Sequence, residues 1–258
     1  MRFGIAVLLI FLLMAIFAPL ISFYDPAEII LDGPYPPSIN HWFGTDDLGR
    51  DVFSRVVFGA RISLSVGMVA VFIALTLGIF LGALAGYFGG WVDNLVMRFT
   101  DVMLAFPSIF LILTIQVLIS PNIFNVMAVI GLTSWMGVAR LIRGEFLSLR
   151  ERTFVEAARM IGCSDMRIIF RHILPNTFSS ITVAATLGMA GAILTESSLS
   201  FLGLGVQPPM PSWGSMLMDA QAYLRDAPWM AIIPGLFIFL AVLSLYLIGE
   251  HLREKLFR

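Results

Sequence analysis

Three histidines, a few carboxylates near apolar stretches and a polar island from Glu145 to Asn176 hold most of the chemical potential of this chain. His41, His172 and His251 fall in three separate polar segments, with no His-Glu-x-x-His pair and no Gly-x-Ser-x-Gly elbow, so no hydrolytic constellation is expected. Gly203-Leu204-Gly205 leads into Pro208 and Pro209, which replace the last glycine and the helix start of a dinucleotide fingerprint. Lysine occurs once, at Lys255 after Glu254, so the chain has no Gly-Lys-Ser/Thr phosphate loop, and any ATP must sit on another polypeptide. The lone Cys163 excludes an internal disulfide framework and suits a small apolar filler. Asp46, Asp47 and Asp51 around Gly49 do not have EF-hand spacing, and no metal ligands are expected. A net charge of −1 gives no reason to expect a nucleic-acid partner.

The island spells two short two-faced helices. Thr153 and Glu156 have the spacing of a capping box, and Gly162 is the left-handed stop. Ser164 and Asp165 open the second helix, and Pro175 predicts an end or a bend at Leu174. At 3.6 residues per turn Phe154, Ala157, Ala158 and Ile161 share a face opposite Glu156 and Arg159. In the second helix Met166, Ile169, Phe170 and Ile173 cluster, with Arg167 and Arg171 on another side. Such a hairpin either docks on another protein or lies on a bilayer surface.

Two carboxylates near apolar runs need partners, because a charge in hydrocarbon costs at least about 2.5 kcal/mol. Asp101 lies one turn after Arg98, which predicts a local ion pair. Glu196, flanked by Thr195, Ser197 and Ser198, is either a helix–helix hydrogen bond or a wall of a watery translocation path.

The elements that must carry these residues are apolar. With 59% hydrophobic residues and only 13% charged ones, the chain reads as an all-α polytopic membrane protein. Phe3 to Tyr24 is long enough to cross the hydrocarbon and, with Pro19 after Ala18, is expected to be a retained span, not a cleaved leader. Asp25 to Ala60 is acidic and proline-rich at its start. A second span follows between Arg61 and Asp93, in which Gly78, Gly82 and Gly86 form a small-residue packing stripe. Tyr87, Phe88 and Trp91 suit an interface belt around the Gly89-Gly90 turn. Asp101 to Arg140 reads as two spans joined near Ser120-Pro121-Asn122, with a kink at Pro107. Thr177 to about Leu204 is a fifth span, with Ala184, Gly188 and Ala192 as a second stripe. A short helix is expected from Met216 to Arg225 and a sixth span from Ala227 to Gly249. Arginines such as Arg140, Arg143, Arg159 and Arg171 gather on one side of these six spans, which predicts a cytoplasmic island and two cytoplasmic termini.

Glu156-Ala157-Ala158, then Gly162, then Leu174-Pro175 resembles the coupling loop of ATP-binding-cassette (ABC) importer permeases, although His172 stands where that pattern carries isoleucine. Gly44-Thr45-Asp46 with Gly49-Arg50-Asp51, Phe88 to Asn94, and Gln207-Pro208-Pro209 with Pro211 to Gly214 resemble the dipeptide/oligopeptide/nickel branch, permease C type. The resemblance implies a type I importer permease fold: a first helix and extracytoplasmic segment over 1–60, and a permease core over 61–258 with its coupling loop at about 144–176. It implies an ATPase-coupling role for Thr153, Phe154, Glu156, Ala157, Ala158, Arg159, Gly162, Leu174 and Pro175. It further implies a second permease subunit, two cytoplasmic ATPases holding ATP and magnesium, an extracytoplasmic binding protein, and a bacterial or archaeal cytoplasmic membrane. The solute would be a di- or oligopeptide, or alternatively nickel or another small solute. From another class, an ATP-independent channel or a polytopic membrane enzyme is the rival, and the missing catalytic constellation argues against the enzyme.

Overall fold

A computed structural model describes residues 2–119 and 122–256. The connection at Ser120-Pro121 lies outside the described residues. The chain is helical, and its helices are laid along one long rod. Helices α1 (Arg2–Ile16) and α2 (Ala18–Ile21) lead to an irregular outer segment and then to α3 (Val52–Phe88). At 37 residues, α3 is about 55 Å long, well beyond the hydrocarbon thickness of about 30 Å. Asp51 starts it by accepting the Ser54 amide at 2.8 Å, so the acidic run before the span is partly a helix cap.

Gly89 (φ 65°) ends α3 and Gly90 opens α4 (Gly90–Ala105). The predicted kink at Pro107 is a break: α5 (Ser108–Leu118) leaves α4 at 83°. Next come α6 (Ile123–Leu132) and α7 (Trp135–Leu149), then α8 (Thr153–Met160) and α9 (Asp165–Arg167). The chain continues through a π-wound turn, Ile168–Ile173, and a 3-10 turn, Leu174–Thr177, into α10 (Phe178–Phe201). Of the end or bend expected at Leu174, the helical chain does not end there; its winding changes there from π to 3-10. Widening lets the Leu174 N–H reach Ile169 O, and the Asn176 and Thr177 side chains donate to His172 O and Leu174 O around the proline. Helix α11 is Trp213–Asp219, not Met216–Arg225, because Ser212 and Ser215 form a reciprocal capping box just before and within its first turn. Last comes α12 (Trp229–Leu256).

Four helical stretches among the described residues are long and apolar enough to cross a membrane: Val52–Phe88, Ile123–Leu149, Asp165–Phe201 and Trp229–Lys255. The bent pair α4–α5 supplies a fifth if counted as one span, and α1 is a shorter apolar helix.

The core follows α3. Near its start Phe11, Leu64, Ile193, Trp213 and Leu245 pack together, with the Phe11 ring 5.5 Å from Trp213. Along its middle and end the glycine stripe meets α7. A methyl at Gly82 would lie 2.5 Å from Ala139 O, and one at Gly86 would lie 2.6 Å from Phe146 Cβ. Gly78 faces Val138 and Trp135 O in the same way. Gly188 differs: its nearest neighbour is Val71 at 3.4 Å, and it lines a small apolar cavity of about 40 Å³ with Ala184 and Ala192.

Candidate functional site

The island is a hairpin seated on the far end of α3. Its inward side is Val155 and Ala158 from α8 with Ile168, Ile169 and Ile173 from the second helix. They pack into a cluster with Ala83, Tyr87, Ile142 and Phe146. Half-buried Cys163 packs against that cluster, as an apolar filler would. The buried stripe of α8 is thus Val155–Ala158, while Phe154, Ala157 and Ile161 face outward. In the second helix Ile169 and Ile173 go in and Met166 and Phe170 stay out.

No capping box forms at Thr153. Arg152 is the last extended residue (φ −82°, ψ 145°), so the threonine already occupies the first helical position, one residue too late to cap. Glu156 is exposed in the first turn and Arg159 in the last, each favourable to the helix dipole. Gly162, at φ 82°, closes α8: its N–H donates to Arg159 O and the Cys163 N–H to Ala158 O, which is a Schellman pattern. Leu174 is half-buried and Pro175 exposed beyond the π turn.

What remains outside is an apolar surface with charges interleaved. Ile161 is 81% exposed and Met160 88%, beside Phe154, Met166 and Phe170. Arg167 and Arg171 are exposed with them. An apolar groove of about 280 Å³ between Phe80, Ala83, Met166 and Phe170 extends this surface onto α3. No reactive constellation accompanies it; the arrangement can bind, and it can transmit position.

The hairpin is also fastened by polar contacts that sequence reading missed. The Tyr87 hydroxyl donates to Asp165 Oδ1 at 2.6 Å, and the Arg159 guanidinium lies 5.7 Å above the Tyr87 ring. Tyr87 is therefore buried beneath the hairpin instead of lying in an interface belt, while Phe88 and Trp91 are exposed. The signal was available in principle, since a buried tyrosine hydroxyl seeks a partner. Asp101 pairs with Arg140 at 2.6 Å, not with Arg98, and Arg143 grips Asp93 with two donors.

At the other end of α3 lies a second polar cluster. Glu196 is fully buried; Ser63 donates to one carboxylate oxygen at 3.2 Å and Ser200 to the other at 2.7 Å. Ser63 Oγ also accepts the Trp213 amide, so Glu196 ties α10, α3 and α11 together. A helix–helix hydrogen bond is thus present at Glu196, and its carboxylate is buried within this chain. Beyond it, Arg50 and Arg55 both reach Asp219 Oδ2, at 3.2 and 3.0 Å, and both contact Asp46. Asp46, Asp47 and Asp219 lie close enough together to suggest a cation site. The two guanidinium groups already supply the counter-charge, so this is an ion-pair network. Burial pushes the Asp47 and Asp219 carboxyls above the usual range, against the pull of Arg50 and Arg55. Their ionisation therefore weighs against the fold, a cost that builds as pH rises from the ordinary carboxylate value to the raised one and that Arg50 and Arg55 lessen without cancelling.

Comparison with known proteins agrees with this geometry. The chain is 47% identical, over 98% of its length and 84% of the relative, to the dipeptide transport system permease protein DppC of Alkalihalophilus pseudofirmus. It is 48% identical to the glutathione transport system permease protein GsiD of Escherichia coli, over 96% of this chain and 82% of that one. Among solved structures, a chain of the inward-facing MetNI methionine ABC transporter aligns with TM-score 0.61 at 19% identity, covering 78% of this chain and 96% of its own. An amino acid ABC transporter aligns at TM-score 0.55 and 17% identity, covering 79% and 92%. The profile described as "Binding-protein-dependent transport system inner membrane component" matches residues 78–258, and this chain belongs to that family of transport permeases.

Proposed function

We propose that this chain is the membrane-spanning subunit of an ATP-driven ABC importer for di- or oligopeptides or a related small peptide such as glutathione. ATP and magnesium sit on two partner ATPases, since this sequence has no phosphate loop. One observation carries the reading: the hairpin is held rigidly from within by Val155, Ala158 and Ile168, yet turns Met160, Ile161, Met166 and Phe170 to the outside. An apolar, charge-studded surface of this kind fits a groove on another protein. Closure of the ATPases would move the hairpin as a body and rock the spans it touches, giving alternating access.

In this reading α1 with α2, α3, α4 with α5, α6 with α7, α10 and α12 are six spans, and both termini and the hairpin are cytoplasmic. Residues 1–60 form the first helix and the outer segment, and 61–258 the core. A second permease subunit completes the pathway, and a binding protein delivers solute to the opposite face in a bacterial or archaeal cytoplasmic membrane. Names of relatives support the peptide class, one dipeptide and one glutathione permease at 47% and 48% identity.

The test uses the assembled complex. Gly162→Pro cannot keep φ at 82°, and Glu156→Lys reverses the charge in the first turn of α8. Both variants should insert into the membrane and leave ATP hydrolysis uncoupled from uptake of a labelled dipeptide or of glutathione. Wild-type uptake by both would sink the scheme.

A further inference from the structure

The chain runs covalently from the hairpin into α10 but not into α3. Any displacement of the hairpin therefore reaches α3 through side-chain contacts, an apolar set around Ile79 and Ala83 and, in the last turn, Tyr87, which adds polar ones. Tyr87, in the last turn of α3, is 6% exposed. Its hydroxyl holds Asp165, which opens the second helix, while its ring lies under Arg159, which closes the first. It thus touches both halves of the hairpin at once. The bond from Tyr87 to Asp165 directly joins α3 to the hairpin.

The same turn is braced from the side. Arg150 Nη1 donates to Gly86 O at 3.2 Å and Tyr87 O at 3.5 Å, carbonyls at the helix end that lack partners within the helix. Gly86 lies tight against Phe146 and Arg143 O of α7, so the end of α3 cannot slide independently. About 48 Å away along the rod, Arg55 grips Asp219 at the end of α11. A movement entering at Tyr87 therefore leaves at the opposite face of the molecule.

We infer that Tyr87 is a positioning residue that passes displacement of the docking hairpin into α3, through the hydroxyl held by Asp165 and the ring beneath Arg159. The inference rests on the importer reading above. A merely structural tyrosine would affect whether the complex assembles. A transmitting one affects how strongly events at one face are felt at the other.

The experiment uses the complete complex in lipid nanodiscs, with both permease subunits, the ATPases and the cognate binding protein. The reading is the factor by which binding protein stimulates ATP hydrolysis. Tyr87→Phe keeps the ring and its burial and removes only the hydroxyl. It should retain the ATPase subunits and basal hydrolysis, while the stimulation factor drops about three- to tenfold. Asp165→Asn preserves an acceptor for the hydroxyl and should keep most of the stimulation. Unchanged stimulation in Tyr87→Phe overturns the inference, as does loss of the ATPase subunits from that variant, which would reduce Tyr87 to a support of the docking surface. A wild-type chain that never retains ATPase subunits would sink the importer reading itself, and this inference with it.

Discussion

Where α3 begins, buried Arg50 and Arg55 pair with Asp46 and Asp219, and buried Glu196 accepts from serines, while Arg55 Nε and Asp47 Oδ1 are left without a hydrogen bond among the described residues. Where it ends, the hairpin leaves Met160, Ile161, Met166 and Phe170 uncovered. The two ends also spend glycine differently. Gly49 has φ 78° and its backbone is pressed against Leu31, whereas Gly162 has φ 82° in open space. One end is closed within this chain; in the proposed reading the other is finished by a partner. A charged cluster is thus not by itself a functional surface, and an apolar one beside it is not by itself a core.

The largest effect should come from breaking the closed end. Arg55→Met leaves Asp46 and Asp219 short of a buried counter-ion, an expected loss of about 3–5 kcal/mol, read as a lower unfolding midpoint in detergent. Next comes the glycine pair. Gly49→Ala sets a methyl against Leu31 O in a left-handed residue and should cost about 3 kcal/mol. Gly162→Ala meets nothing and should cost only about 1 kcal/mol. Equal midpoint shifts for the two would erase the distinction between the ends. Smallest of all on stability, Ile161→Ser should stay within about 0.5 kcal/mol while weakening capture of the ATPase subunits. Intact capture would place docking elsewhere.

Much of this arrangement was legible because it is local. The apolar runs marked the long helices. Gly162 announced its left-handed turn, and glycines four residues apart define a stripe on any helix. What stayed hidden depends on partners distant in sequence. Asp101 prefers Arg140 over Arg98 only because α7 packs beside α4, and Tyr87 looks like an interface aromatic until Asp165 is folded over it. Thr153 failed as a cap by a single position, set by where Arg152 leaves extended backbone. The span count is blurred by the short α1 and the right-angle break after α4, where hydropathy alone cannot see direction.

The π-wound turn from Ile168 to Ile173 carries more chain than an α-helix of the same rise. Such a bulge takes up extra chain without rotating what lies on either side. Removing one residue there would relax the coil to ordinary winding and leave hairpin and α10 in phase, whereas the same deletion a few turns later would turn the buried face of α10 by roughly 100°.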